Sequence, residues 1–123
     1  MRIPVLVAAL AALLLPLSGA HAFDVRFLKE TPIGKFSKED LSMMQATARK
    51  ALSEAPDGTL VEWSNPKTGS SGTVKPLDTF QQKGLKCRRT EFTNKYKTLF
   101  GGSTIVACEV KKGEWKYASV ERQ

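Results

Sequence analysis

Residues 36–65, FSKEDLSMMQATARKALSEAPDGTLVEWSN, contain one change of periodicity, and the expected fold follows from it. Ser37 is placed to cap the first amides of a helix, and Asp40 stands three residues on, at the reciprocal position of a capping box. Phe36 and Leu41 have the spacing of a hydrophobic staple. Leu41, Met44, Ala48, Leu52 and Ala55 then recur at helical spacing and give one apolar face. Pro56 stops the helix, because proline cannot continue the backbone ladder, and Asp57-Gly58 supplies a turn. Past that turn the period is two, with Val61 and Trp63 on one face of a strand.

Working outward, the remainder reads as short strands separated by turns: Thr59 to Asn65, Ser71 to Pro76, Leu85 to Phe92, Ser103 to Val110 and Trp115 to Val120. Lys112-Gly113 suits a tight hairpin, and Asn65 to Gly69 a longer turn. Val106, Cys108 and Val110 share a face and join Val61 and Trp63 as core candidates. In the third strand Leu85 and Cys87 share a face with Arg89 and Glu91 while Phe92 points the other way, so a bulge or an early end is expected there. The fold class is therefore α+β: one N-terminal helix packed on a small antiparallel sheet of four to five strands, with one disulfide. The domain is expected over residues 37–120, behind an arm at 23–36 with a short strand at Val25 to Leu28.

The disulfide is inferred from compartment. Arg2, the apolar run from Val5 to Leu17 and the small residues ending Ala20-His21-Ala22 have the form of a signal peptide spanning residues 1–22, cleaved before Phe23. No cysteine stands near that site, so lipidation is not expected. Cys87 and Cys108 are the two cysteines, and in an oxidising compartment such a pair normally bridges, stabilising the fold by roughly 3 kcal/mol. The expected location is periplasmic or outer-membrane-associated. The length that remains suits a single domain.

Composition argues against catalysis. The one histidine, His21, leaves with the signal peptide, which removes Ser-His-Asp and Cys-His arrangements. A carboxylate pair such as Glu62 and Glu109 facing across strands is the remaining hydrolytic option, and solvated surface carboxylates are the simpler reading. No CxxC spacing or histidine cluster suggests a metal or a redox pair, and no cofactor is expected. Gly101-Gly102 lacks the context of a phosphate loop and reads as a turn.

The whole chain carries a net +7, and its most uneven stretch runs from Lys83 to Lys97. Lys86, Arg88, Arg89, Lys95 and Lys97 are the candidate anion-binding residues, with Phe92 and Tyr96 interleaved. The alternative is a solvated strand that keeps the protein soluble. Nucleic acid is not an expected partner for an exported chain. Trp63 and Trp115 could stack on a sugar, but their apolar neighbours favour packing.

Taken in order, Trp63-Ser64-Asn65-Pro66, Ser71-Gly72-Thr73-Val74, Pro76, Gly84, Cys87-Arg88, Ala107-Cys108 and Gly113-Glu114-Trp115 resemble the C-terminal domain of the seventeen-kilodalton outer-membrane surface antigen family. The likeness covers roughly residues 39–118. Members of that family commonly carry a lipoprotein cysteine and a glycine-rich hydrophobic segment, which are not found here. The resemblance implies a cell-envelope protein with paired Cys87 and Cys108 and no catalytic residues to transfer. Arg88, beside the bridge, is expected to form an ion pair with Glu109 or to bind an anion. The expected partner is an envelope component, an anionic lipid or glycan, with peripheral membrane association possible. The alternative is a protein-binding module or inhibitor acting through a sheet edge or the segment from Asn94 to Ser103.

Overall fold

A computed structural model describes residues 31–120. A short helix, α1 (Pro32–Lys35), precedes the long helix α2 (Lys38–Glu54), and five strands follow: β1 (Val61–Asn65), β2 (Ser70–Gln82), β3 (Leu85–Tyr96), β4 (Leu99–Lys111) and β5 (Glu114–Val120). The strands form one antiparallel sheet in chain order, with α2 lying across β1 and β2 and reaching β5. The signal peptide and the strand expected at Val25 to Leu28 fall outside the described residues.

Strands β2, β3 and β4 are longer than their sequence signals suggest. Proline normally ends a central strand, yet Pro76 lies inside β2. It is tolerated because β1 pairs with β2 only as far as Val74, so the missing N–H of Pro76 takes nothing from a ladder on that side. A bulge follows between Pro76 and Asp78 and shifts the alternation by one. Thr79 therefore pairs with Arg88, while Phe80 comes opposite Cys87. The bulge expected in β3 is not there: its pairing with β4 runs without a shift from Cys87 to Tyr96. The mixed faces of β3 have another cause, since each side of the sheet carries its own cluster.

On one side, α2 covers Trp63, Val74 and Pro76. On the other, Cys87 and Cys108 are bonded to each other, and Val106 packs with them against Phe80 and Leu85. The core candidates Trp63 and Cys108 thus sit in different clusters. Two hairpins bear no Asn-Gly or Asp-Gly signal. Lys83-Gly84 turns with both residues at positive φ, 50° and 76°, and Lys97 has φ 53°. The expected Lys112-Gly113 hairpin is present, with Gly113 at φ 77°.

The N-terminus of α2 is fixed by the residue that caps it. Ser37 and Asp40 form the capping box, with the Ser37 amide donating to Asp40 Oδ2 at 2.9 Å. Asp40 is fully buried and also accepts from Asn65 Nδ2 at 2.8 Å, Thr68 Oγ1 at 2.7 Å and Ser70 Oγ at 2.7 Å. One carboxylate thereby ties the helix to the β1–β2 turn. Nearby, Phe36 sets its ring edge-on to Trp63, with centroids 5.3 Å apart. The Trp63 indole in turn lies over Gly72, where an added Cβ would fall 2.5 Å from Nε1.

Burial pushes the Asp40 carboxyl up, but the Ser37 amide and the side chains of Thr68, Ser70 and Asn65 outweigh it and hold the pKa at about 2. Because the folded value is depressed, the stabilisation is complete above the ordinary carboxylate range and is lost as pH falls through the folded value. Thermal melts are expected to show the midpoint dropping between about pH 4 and about pH 2. Asp40→Asn should flatten that dependence while lowering the midpoint at neutral pH, and an unchanged acid slope in the variant would refute the assignment.

Candidate functional site

Among the candidate cations, Arg88 is a structural residue. It is 4 % exposed, and each of its N–H groups has a partner. Nε donates to Thr79 Oγ1 at 2.9 Å. One terminal nitrogen donates to the carbonyls of Ala51 at 3.2 Å and Leu52 at 2.8 Å, the other to the Ala55 carbonyl and Asp57 Oδ1, both at 2.7 Å. These carbonyls belong to the last turn of α2 and its cap, at the negative end of the helix dipole; that of Ala51 also accepts from the Ala55 amide at 2.9 Å, whereas those of Leu52 and Ala55 lie past the last intrahelical donor. The expected pairing of Arg88 with Glu109 is not made. The helix end and Asp57 use the whole guanidinium, and Glu109 instead accepts from the Gly113 amide at 3.1 Å in the β4–β5 hairpin. Hydrogen bonds from Arg88 and Thr79 hold the Asp57 carboxyl below its ordinary value.

Arg89 is on the opposite side of β3, where its Nε donates to Asp78 Oδ1 at 2.6 Å. Lys86, Lys95 and Lys97 are exposed. At about 3.3 Å per residue, Lys86 and Lys97 stand over 30 Å apart along the hairpin strand, so the basic run of the sequence does not converge. Lys95 and Lys97 lie over the rings of Phe100 and Tyr96, at 5.6 and 5.3 Å from the centroids.

The fold assembles a different cluster around that end. The Lys97 amide donates to the Gly69 carbonyl at 3.1 Å, which joins the β3–β4 turn to the β1–β2 turn and its Lys67. The bonds from Thr68 and Ser70 to Asp40 bring in the start of α2, with Lys35 and Lys38. Lys35, Lys38, Lys67, Lys95 and Lys97 are all exposed, and none is ion-paired among the described residues. Glu39 stands in the same first turn of α2 and accepts from Asn65 Nδ2 at 3.4 Å. Lys35, Lys38 and Lys67 were not sequence candidates, because only the pairing of two distant turns makes them neighbours.

Beside this basic end, on the side of the sheet away from α2, two cross-strand rows line a trough of about 490 Å³. One row runs Glu62, Thr73, Thr93, Gly102, and the next runs Ser64, Ser71, Lys95, Phe100. The Thr73 and Thr93 hydroxyls touch across the floor, and Phe100 is 71 % exposed at the rim. Between α2 and the sheet is a smaller, mainly apolar cleft of about 230 Å³, reached by Ile33, Met44, Phe92 and Ile105.

Glu62 and Glu109 do not form a pair. They belong to β1 and β4, and Glu62 is in the outer row whereas Glu109 stands opposite Trp115, whose indole donates to Ser53 of α2 at 2.9 Å. No cluster of metal-ligating residues occurs among the described residues, and no helix among them is long and apolar enough to cross a membrane.

These features define a class: a small disulfide-linked meander sheet carrying one long helix, which buried Asp40 and Arg88 anchor at its two ends. The chain belongs to the 17 kDa outer membrane surface antigen family, whose model matches residues 50–116. It is 31 % identical over 84 residues to a 17 kDa surface antigen of Rickettsia prowazekii (strain Madrid E), covering 64 % of this chain and 50 % of that protein. It is 32 % identical over 84 residues to that of Rickettsia conorii (strain ATCC VR-613 / Malish 7), with the same coverage. The chain spans about half the length of the curated relatives it matches. No solved structure matches it.

The Arg88 assignment predicts that Arg88→Ala destabilises the domain by about 3 kcal/mol, since it strands helix carbonyls and Asp57 together. Arg88→Lys should recover only a minor part, because an ammonium cannot reach the same set of acceptors. Urea unfolding of the three proteins tests this, and an Arg88→Ala variant as stable as the parent would overturn the assignment.

Proposed function

We propose that this is a non-catalytic, exported domain of the cell envelope, periplasmic or outer-membrane-associated, that binds an anionic envelope component through its basic end. The observation that carries the reading is the division of the cations. Arg88 and Arg89 are paired with Asp57 and Asp78, whereas Lys35, Lys38, Lys67, Lys95 and Lys97 gather at one end with no carboxylate partner among the described residues. Unpaired ammonium groups on a rigid turn cluster attract phosphate or carboxylate by charge, without the geometric selectivity of a guanidinium fork. Membership of a surface antigen family supports the envelope setting, and Glu62 and Glu109, on β1 and β4, do not meet as a carboxylate pair.

Co-sedimentation with phosphatidylglycerol and phosphatidylcholine vesicles, alongside pull-down on a soluble acidic glycan, tests the proposal and separates the two sources of anionic groups. Capture by an anionic probe is expected to weaken as salt rises, because exposed charges are screened. Each reversal among Lys67→Glu, Lys95→Glu and Lys97→Glu should weaken it about fivefold. Lys83→Glu at the opposite end of the sheet should leave it unchanged. Capture indifferent to salt and to these reversals would instead favour a protein-binding module.

A further inference from the structure

We infer that the trough on the outer face of the sheet is a subsite for a neutral stretch of oligosaccharide. This rests on the envelope-binding reading above and names the part of the ligand that charge alone does not hold.

The first argument is the distribution of side-chain length. The middle of the trough is floored by Ser64, Ser71, Thr73 and Thr93, all short and hydroxylated, while the long side chains of Glu62 and of Lys95 and Phe100 stand at its two ends. Gly102 closes one row without a side chain, so the floor stays open toward β4. Rows crossing four strands at ~4.8 Å spacing make a trough about 14 Å long, the scale of a short oligosaccharide. Its volume of about 490 Å³ lies within the usual range for small-ligand sites, about 300–1,000 Å³.

The second argument is chemical. A sugar ring presents hydroxyls around its edge and an apolar C–H face. The floor hydroxyls both donate and accept, Glu62 accepts and Lys95 donates, which meets polyhydroxylated edges from several directions. At the rim, Phe100 is 71 % exposed, an unusual placement for a phenyl ring, and its face suits the C–H side of a pyranose. Lys95 lies 5.6 Å from the centroid of that ring, so the aromatic wall and the donor are positioned together. Glu62 and Lys95 give the trough no net formal charge of its own, and Lys95 stands at the edge it shares with the basic end, so a neutral segment is held there by hydroxyl and ring contacts.

The experiment is a titration of the exported domain, residues 23–123 with the disulfide intact, with chitotetraose and maltotetraose, followed by amide chemical shifts. At least one sugar is expected to move the amides of Ser64, Ser71, Thr93 and Lys95, with an affinity unchanged in molar salt. Phe100→Ala should weaken binding about fivefold or more, and Phe100→Trp should retain it. No shift at these amides with either sugar, or a shift that Phe100→Ala leaves unaltered, would overturn the subsite. Salt-sensitive capture of the anionic probes would still stand in that case. Loss of that capture with sugar binding intact would overturn the electrostatic reading instead.

Discussion

The guanidinium of Arg88 is the constraint on which the packing of this domain depends. It stands in the middle strand, yet it is bonded to the last turn of α2, to the loop at Asp57 and to Thr79 of β2. A small domain has little apolar surface with which to fix a helix on a sheet, and here a cation with five donors spread over helix, loop and strand supplies what a larger core would otherwise do. Burying a charge is costly unless every donor is satisfied, and the five bonds meet that condition. The β2 bulge is part of the same arrangement, because without the shift between Pro76 and Asp78 the Thr79 hydroxyl would point to the other side of the sheet.

Asp40 does the complementary task at the other end of the helix. Its carboxylate lies at the positive end of the helix dipole and Arg88 at the negative end, so each buried charge has the favourable sign for its position. The two anchors fix the height and direction of α2 over β1 and β2. The Trp63 indole fits between only because position 72 lacks a side chain. The disulfide then strengthens the far side of the sheet, which no helix among the described residues covers, by joining β3 directly to β4.

How much of this was legible followed from range along the chain. The start and stop of α2 were readable because capping box, apolar face and Pro56 are all local signals. An antiparallel sheet was readable from a run of short strands, and the bridge from compartment. Strand length was not, because Pro76 is a stop signal only when a neighbour needs its amide, and whether β1 reaches that far is a tertiary fact. The turns at Lys83 and Lys97 were hidden for a related reason: lysine at positive φ is uncommon and carries no turn signature. The mixed faces of β3 suggest a bulge or an early end in the sequence, and two clusters on opposite faces of the sheet remove the need for either.

The candidate site shows the same division more sharply. In the sequence, Lys86, Arg88, Arg89, Lys95 and Lys97 form one basic run, but a strand sends neighbours to opposite sides and a twelve-residue strand separates its ends. Folding therefore sorts these cations by what surrounds them. Arg88 meets an acid, a hydroxyl and carbonyls that use all its donors and becomes scaffold, Arg89 pairs with Asp78 at the surface, and the lysines at the turns share one end of the sheet with lysines from distant segments. A surface built in this way keeps its free charge where the β1–β2 and β3–β4 turns are held together by the bond from Lys97 to Gly69. Charge and rigidity coincide there, so a partner that binds at this end meets a preorganised surface and loses less entropy in ordering it.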